Sequence, residues 1–186
     1  MNQINRVIRF DKKDCDPIAE DLFIKIGGLD KRGEKFDRMR TEAKQMRKVV
    51  DERIDARAVY SYYEDVELKG STVIIAGEEF SCNAFEQIDP SCIKGAYIYV
   101  VTAGSFDFED EPIMQQLYAD MWGTSFTDAA RMKFREFLSA GGNLSDGFGP
   151  GFYGMDVAQM QRLANLVDMG KIQVEVRGSS CLVPLK

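Results

Sequence analysis

The hydrophobic pattern of this chain changes period at Ala56. Upstream, Asp30 to Arg57 is rich in charge and free of proline, and its apolar residues Phe36, Met39, Ala43, Met46, Val49 or Val50, and Ile54 recur every three to four positions. That spacing predicts a long amphipathic helix whose charges lie on the solvated side. Downstream, "ARAVYSYYEDVEL" and "STVIIAGEEF" follow a period of two and are rich in β-branched and aromatic residues, with "LKGS" between them as a turn. These predict two neighbouring strands. A chain that moves from helical to strand period within a few residues builds its core from both kinds of element.

Further along, "DPSCIKGA" breaks the pattern before "AYIYVVTAG", an apolar run of strand length. It predicts a central strand buried on both faces, with Thr102 and Gly104 at its C-terminal end, where loops commonly host sites. The acids of "DFEDEP" suit a helix N-terminus, with Pro112 in the first turn, and the helix is predicted to run from Ile113 to about Ser139 before Gly141-Gly142 stops it. Gly123, Thr124 and Ser125 inside that helix predict a close approach to its backbone, either a tight helix–sheet crossing or a ligand contact.

Near the C-terminus, Asp156 is placed as an N-cap with Gln159 three residues later. Val157, Met160, Leu163, Ala164 and Val167 then repeat at helical spacing until Gly170. "KIQVEVRGSSCLVPL" sets Ile172, Val174 and Val176 against Gln173, Glu175 and Arg177, a half-exposed strand with a second short strand after it. This order lacks strict βαβ alternation, so the fold class expected is α+β, a mixed or antiparallel sheet packed with helices. A length of 186 residues suits one domain over residues 1–186, with a helical part over about 1–57 and a sheet- and site-bearing part over about 58–186.

Composition narrows the chemistry. The chain has no histidine, which removes Ser-His-Asp and Cys-His catalysis, histidine-ligated zinc, and a histidine axial ligand to heme or cobalt. Cys15, Cys82, Cys92 and Cys181 lie far apart without a C-x-x-C pair, so no metal site is expected and the thiols read as reduced, buried, small apolar residues. Net charge is −6 and the cations alternate with acids instead of forming a basic face, which argues against a nucleic-acid partner. The longest uncharged apolar run, Gly95 to Phe106, is too short for a bilayer, and Met1 to Asp14 carries no apolar signal core, so a cytoplasmic protein without a membrane partner is expected. Homo-oligomerisation stays open.

One stretch stands apart: "SDGFGPGFYGMD", Ser145 to Asp156, holds glycines at 147, 149, 151 and 154 around Pro150, with Phe148, Phe152 and Tyr153. Glycines permit positive φ and let backbone N–H groups approach a ligand, and a following helix N-terminus suits a carboxylate or phosphate. The aromatics suit stacking on a purine or contact with a cation such as a sulfonium, and equally the closing of a core edge. The stretch matches neither G-x-x-x-x-G-K-[ST] nor a strand-borne G-x-G-x-x-G.

"GPGFYGMDVAQMQRLANLV", followed by "SSCLVPLK", resembles the activation domain of cobalamin-dependent methionine synthase, particularly its small stand-alone relatives from anaerobic bacteria. "YIYVVTAGSFDFED" and "DMWGTSFTDAARMKFREFL" resemble two further stretches of that family in the same order, and "ARAVYSYYEDVEL" does so more loosely. The resemblance implies a methionine synthase activation domain-like α+β fold. It implies that Gly149, Pro150, Gly151, Phe152, Tyr153, Thr102 and Gly104 bind S-adenosylmethionine, with no catalytic side chain of the chain's own. It also implies a partner, a corrinoid (cobalamin-binding) protein or methyltransferase carrying the cobalamin, whose inactive cobalt form is restored to methylcobalamin.

Two departures from the family pattern are visible. Gly147 stands where the family's R-x-x-P-G-Y motif has an arginine for the ligand carboxylate, and Phe152 stands where tyrosine is usual. Arg162, Arg177 and Lys186 are the candidates to supply charge instead. The expected function is an accessory protein of corrinoid-dependent methyl transfer; the alternative is a binding module that docks a corrinoid protein but has lost S-adenosylmethionine. A more distant possibility is an enzyme using Asp107, Glu109, Asp110 or Glu111 as acid and base, against which stands their role at a helix N-terminus.

Overall fold

A computed structural model describes residues 3–178 and 180–184. In chain order its regular elements are β1 (Gln3–Arg9), α1 (Lys12–Ile26), α2 (Glu34–Val50), β2 (Arg57–Tyr63), β3 (Val66–Lys69), β4 (Thr72–Ile75), β5 (Glu78–Ser81), β6 (Ala96–Thr102), α3 (Ile113–Ser139), α4 (Met160–Leu166), β7 (Glu175–Arg177) and β8 (Cys181–Val183). Short 3-10 turns fall between them. The architecture is α+β, with four helices and small antiparallel sheets among the described residues. None of those helices is long and apolar enough to cross a membrane.

The chain divides into two compact units. The first takes the residues before Arg9, Val59–Val100 and Asn143–Val183; the second takes Arg9–Ala58, Val101–Gly142 and Pro184.

In the second unit α1 and α2 both pack on α3. Asp11 starts α1, its carboxylate accepting from the Lys13 N–H at 2.9 Å, and Cys15, Ala19 and Phe23 come in at four-residue steps to form the buried face. α2 contributes Ala43, Met46 and Val50 at the spacing the sequence predicts. α3 runs from Ile113 to Ser139 as expected and buries Trp122, Phe126 and Ala129. Trp122 stacks on Phe23 with ring centres 3.9 Å apart and donates its indole N–H to the Ala43 carbonyl at 3.0 Å. One ring thereby joins all three helices, and burying a side chain of this size stabilises by roughly 1.5–3 kcal/mol. Gly123 and Ser125 lie on the buried side of α3, whose packing neighbours in this unit include α1 and α2.

In the first unit β3, β4 and β5 form an antiparallel meander in which Lys69 pairs with Thr72 and Ile75 with Glu78. "STVIIAGEEF" is therefore two strands, not one. Ala76 and Gly77 have φ of 49° and 88°, the positive pair that a tight two-residue hairpin needs, so the chain reverses inside what its side-chain pattern reads as a continuous strand. "ARAVYSYYEDVEL" is likewise cut, ending β2 at Tyr63 and restarting as β3 at Val66. The core here comprises Tyr63, Val73, Ile75, Phe80, Cys82, Phe85, Met155 and Leu166, with a second cluster around Val59, Val100, Val167 and Ile172.

Three other expectations are corrected. β6 is not the central strand: the three-stranded order is β1-β2-β6, and β2 is the strand buried along nearly its whole length, whereas most of β6 is half-buried. The helix after Asp156 begins with a 3-10 turn and ends at Leu166, and Ile172 belongs to another 3-10 turn closed by Gln173 in the left-handed region, leaving a strand of only Glu175–Arg177. Of the four cysteines, Cys15 and Cys82 are buried, but Cys92 and Cys181 are exposed. β1 and α1 arise where periodicity raised no expectation. Asn5 at φ 54° interrupts the alternation of β1, and Pro17 lies inside α1.

Candidate functional site

The loop from Ser145 to Asp156 is fastened to the first unit from beneath. Phe148 packs edge-on against Phe85, ring centres 5.1 Å apart, and against Tyr153 at 5.7 Å. Met155 is buried in the same cluster. Between these anchors the backbone closes on itself: the Phe152 N–H donates to Gly149 O at 3.0 Å, the Met155 N–H to Phe152 O at 2.9 Å, and the Gly151 N–H to Met155 O at 2.8 Å. The Cys82 thiol, itself buried, donates to the Tyr153 carbonyl at 3.1 Å.

Such a tight double reversal needs left-handed backbone. Gly151 and Gly154 supply it at φ 89° and 79°, and Tyr153 adopts φ 54° without being glycine, a conformation that costs a non-glycine residue roughly 1–2 kcal/mol. The consequence is directional. With the backbone turned inward, Phe152 is 68% exposed and Tyr153 61% exposed, the Tyr153 ring resting on Phe148.

The helix start at the end of the loop is capped by the chain itself. The Asp156 carboxylate accepts from the Ala158 N–H at 2.8 Å, so the first turn is capped from within by a negative charge, and α4 has only seven residues. Gly147 is also tightly placed, since a Cβ there would lie 3.0 Å from the Tyr99 hydroxyl oxygen. Gly149 by contrast faces open space.

Neither described candidate cation is directed to the loop. The Arg162 guanidinium donates to the Glu79 carbonyl, and Arg177 pairs with Glu175. Lys186 lies outside the described residues.

Of the residues expected to form one site, Gly149, Pro150, Gly151, Phe152 and Tyr153 come together as this loop in the first unit, whereas Thr102 and Gly104 belong to the second. Thr102 is buried, its hydroxyl accepting from the Gly104 N–H at 3.1 Å. Gly104 has φ 114°, and a Cβ there would approach the Arg53 carbonyl to 2.3 Å, while the adjacent Ala103 carbonyl accepts from the Asp55 N–H at 2.8 Å. Close backbone contact requires the glycine at this position.

Two positioning residues carried no functional signal in the sequence. Cys82 reads as an ordinary core thiol, and Gln159, placed by its spacing as the capping partner of Asp156, instead turns its amide to the Ser81 backbone through two hydrogen bonds 2.8 and 3.0 Å long. Both act on main-chain atoms, which no residue pattern records.

Against a sulfonium ligand the geometry divides. Exposed aromatic faces suit a cation. Glycine at 147 offers no guanidinium, and the Asp156 carboxylate adds a negative charge at the end of the loop. No protein-family model matches the chain, and no curated protein matches it.

Proposed function

We propose that this chain is an accessory binding module of corrinoid-dependent methyl transfer, similar in role to the activation domain of cobalamin-dependent methionine synthase, and that it docks a cobalamin-carrying protein through the loop Gly149–Tyr153. The observation that carries this reading is the pinned loop backbone under two exposed rings, 68% and 61% accessible. Exposed aromatics on a rigid base lose little freedom on binding, which makes them effective contact residues. The ordered resemblance of four stretches to that family supplies the identity of the partner.

A corrinoid protein titrated onto the immobilised chain is expected to bind without added ligand, and Phe152→Ser is expected to weaken that binding while leaving thermal stability unchanged. Binding that Phe152→Ser and Tyr153→Ser leave intact would remove the loop from the reading.

A second form of the reading, in which the loop also binds S-adenosylmethionine, is favoured by the same rings as faces for a sulfonium. It is disfavoured by Gly147 against Tyr99. Calorimetry with S-adenosylmethionine separates the two: heat of binding that disappears in Phe152→Ser supports the ligand form, and its absence at millimolar ligand supports docking alone.

A further inference from the structure

The second unit carries a surface that the loop reading does not use. At the start of α3, Ile113, Met114 and Leu117 are 76%, 43% and 49% exposed. Ile113 and Leu117 are one helical turn apart and present the same face. Across from them lie the half-buried rings of Phe106 and Phe108, and between helix and rings runs an open groove of about 440 Å³.

The groove is held in shape. Gln116 donates its side-chain N–H groups to the Glu109 carbonyl at 3.0 Å and the Glu111 carbonyl at 2.7 Å, fastening the loop before the helix onto the helix itself. The Glu111 N–H closes a turn onto Phe108 O at 3.0 Å. On the other side Arg53 lays its guanidinium over the Phe108 ring, 4.8 Å from its centre, and donates to the Asp107 carbonyl at 3.3 Å.

Its rim is mainly acidic, with Arg53 as the cation beside it. No lysine or arginine occurs between Lys94 and Arg131, a stretch that contains Asp107, Glu109, Asp110, Glu111 and Asp120. Asp107, Glu109 and Asp120 line the groove itself. Among the described residues Glu109, Asp110 and Glu111 make no ion pair. The backbone of Glu109 and Glu111 is occupied in holding the loop, and Glu109 and Asp110 are exposed.

We infer that this groove is a docking site for a basic amphipathic helix of a partner protein. Leucine-class side chains of that helix lie between Ile113, Leu117 and the Phe106 and Phe108 rings, and its lysines or arginines face Glu109 and Asp110. An apolar strip gives such a helix its affinity, and the excess of acids over the single Arg53 at the rim selects a cationic partner and speeds encounter. A neutral or acidic helix with the same apolar face is rejected by unpaired like charge.

The test uses the whole chain and a fluorescent synthetic peptide of leucine and lysine at amphipathic helical spacing, with a leucine–glutamate peptide of the same pattern as control. Anisotropy is expected to show saturable binding of the lysine peptide only, weakening as salt rises. The pairs Glu109→Lys/Asp110→Lys and Ile113→Asn/Leu117→Asn are each expected to weaken it about tenfold or more. All four positions are at the surface, and circular dichroism checks that the fold is kept. Equal binding of the glutamate peptide, or binding of the lysine peptide that both variant pairs leave unchanged, overturns the inference. So does the finding that the lysine peptide does not bind while Ile113→Asn/Leu117→Asn abolishes self-association in sedimentation, since the occupant is then a second copy.

Discussion

Gln159 and Ser81 exchange two hydrogen bonds: the Ser81 N–H donates to the Gln159 side-chain oxygen at 2.8 Å, and the Gln159 side-chain nitrogen donates back to the Ser81 carbonyl at 3.0 Å. The amide imitates a neighbouring strand at the edge of the β3-β4-β5 sheet. Arg162 and Asn165 continue the same contact along α4, to the Glu79 carbonyl and the Glu78 carboxylate. An edge strand left open is a template for mispairing, and here a short helix covers it.

Replacing Gln159 with leucine keeps the volume and leaves the Ser81 amide and carbonyl without that partner. Destabilisation of about 1–3 kcal/mol is expected. Gln159→Glu retains the acceptor for the Ser81 N–H but faces the Ser81 carbonyl with an oxygen, so it should lie on the destabilised side as well. Urea unfolding of the three proteins checks this, and a Gln159→Leu midpoint equal to that of the parent would show the pair to be dispensable.

Gly104 and Gly149 look alike in the sequence as site glycines, and their surroundings separate them. Gly104→Ala meets the Arg53 carbonyl and a φ of 114°. A loss of more than about 2 kcal/mol is expected. Gly149→Ala meets nothing within 4 Å and requires no positive φ, so it should be neutral or stabilise by about 0.4–1 kcal/mol through the unfolded chain. Thermal denaturation of the two variants, run side by side, should give melting shifts of unequal size and different direction.

Side-chain periodicity made α2, α3 and the existence of β2 and β6 legible, because those elements bury a face whose spacing follows from helix or strand geometry. Turns that depend on backbone sign were harder. Ala76-Gly77 reverses the chain with an alanine at φ 49°, and Gln173 and Asn5 also take positive φ, choices that the surrounding packing makes and residue type does not announce. The candidate loop was legible as a loop from Gly147 to Gly154. Its outward-facing rings depend on Cys82 and Met155 holding the backbone from below, contacts 71 residues apart in sequence for the thiol.

Asp51 links stability to pH. Its carboxyl is held below the ordinary value of 3.8, first by the hydrogen bond from Lys12 and then by Arg47. A depressed carboxyl in the folded protein means that the unfolded chain takes up the proton first on acidification. The stabilisation is therefore fully present above the ordinary carboxylate range and is lost as pH falls through it toward the depressed folded value. Asp51→Asn is expected to lower stability near neutrality and to converge on the parent in acid. Denaturation midpoints across that range test the sign, and a gap that stays constant with pH contradicts it.

The thiols should separate by location. Burial, with Asp14 adding to it, pushes the Cys15 thiol up to about 11, and the Cys82 thiol is enclosed while donating to Tyr153. Cys92 and Cys181 are exposed. A thiol reagent at mildly alkaline pH is expected to modify Cys92 and Cys181 in the native protein, and Cys15 and Cys82 only after unfolding. Peptide mapping of the modified sites decides the matter, and early labelling of Cys82 would mean that the loop opens readily.

Gly147 and Tyr99 set the last expectation. A side chain at 147 begins 3.0 Å from the Tyr99 oxygen, tighter than a relaxed contact but at an exposed position, so Gly147→Arg should destabilise by about 0.5–1 kcal/mol. Removing that oxygen with Tyr99→Phe should return part of the loss, a coupling of about 0.5 kcal/mol or more in a double-mutant cycle. The cycle also bears on ligand recognition. If the Tyr99→Phe/Gly147→Arg protein gains S-adenosylmethionine binding that the parent lacks, the missing guanidinium limits the loop, and its rings are already set for the sulfonium. If stability recovers and no binding appears, the Asp156 carboxylate at the end of the loop becomes the next group to neutralise, and the docking form of the proposal is strengthened.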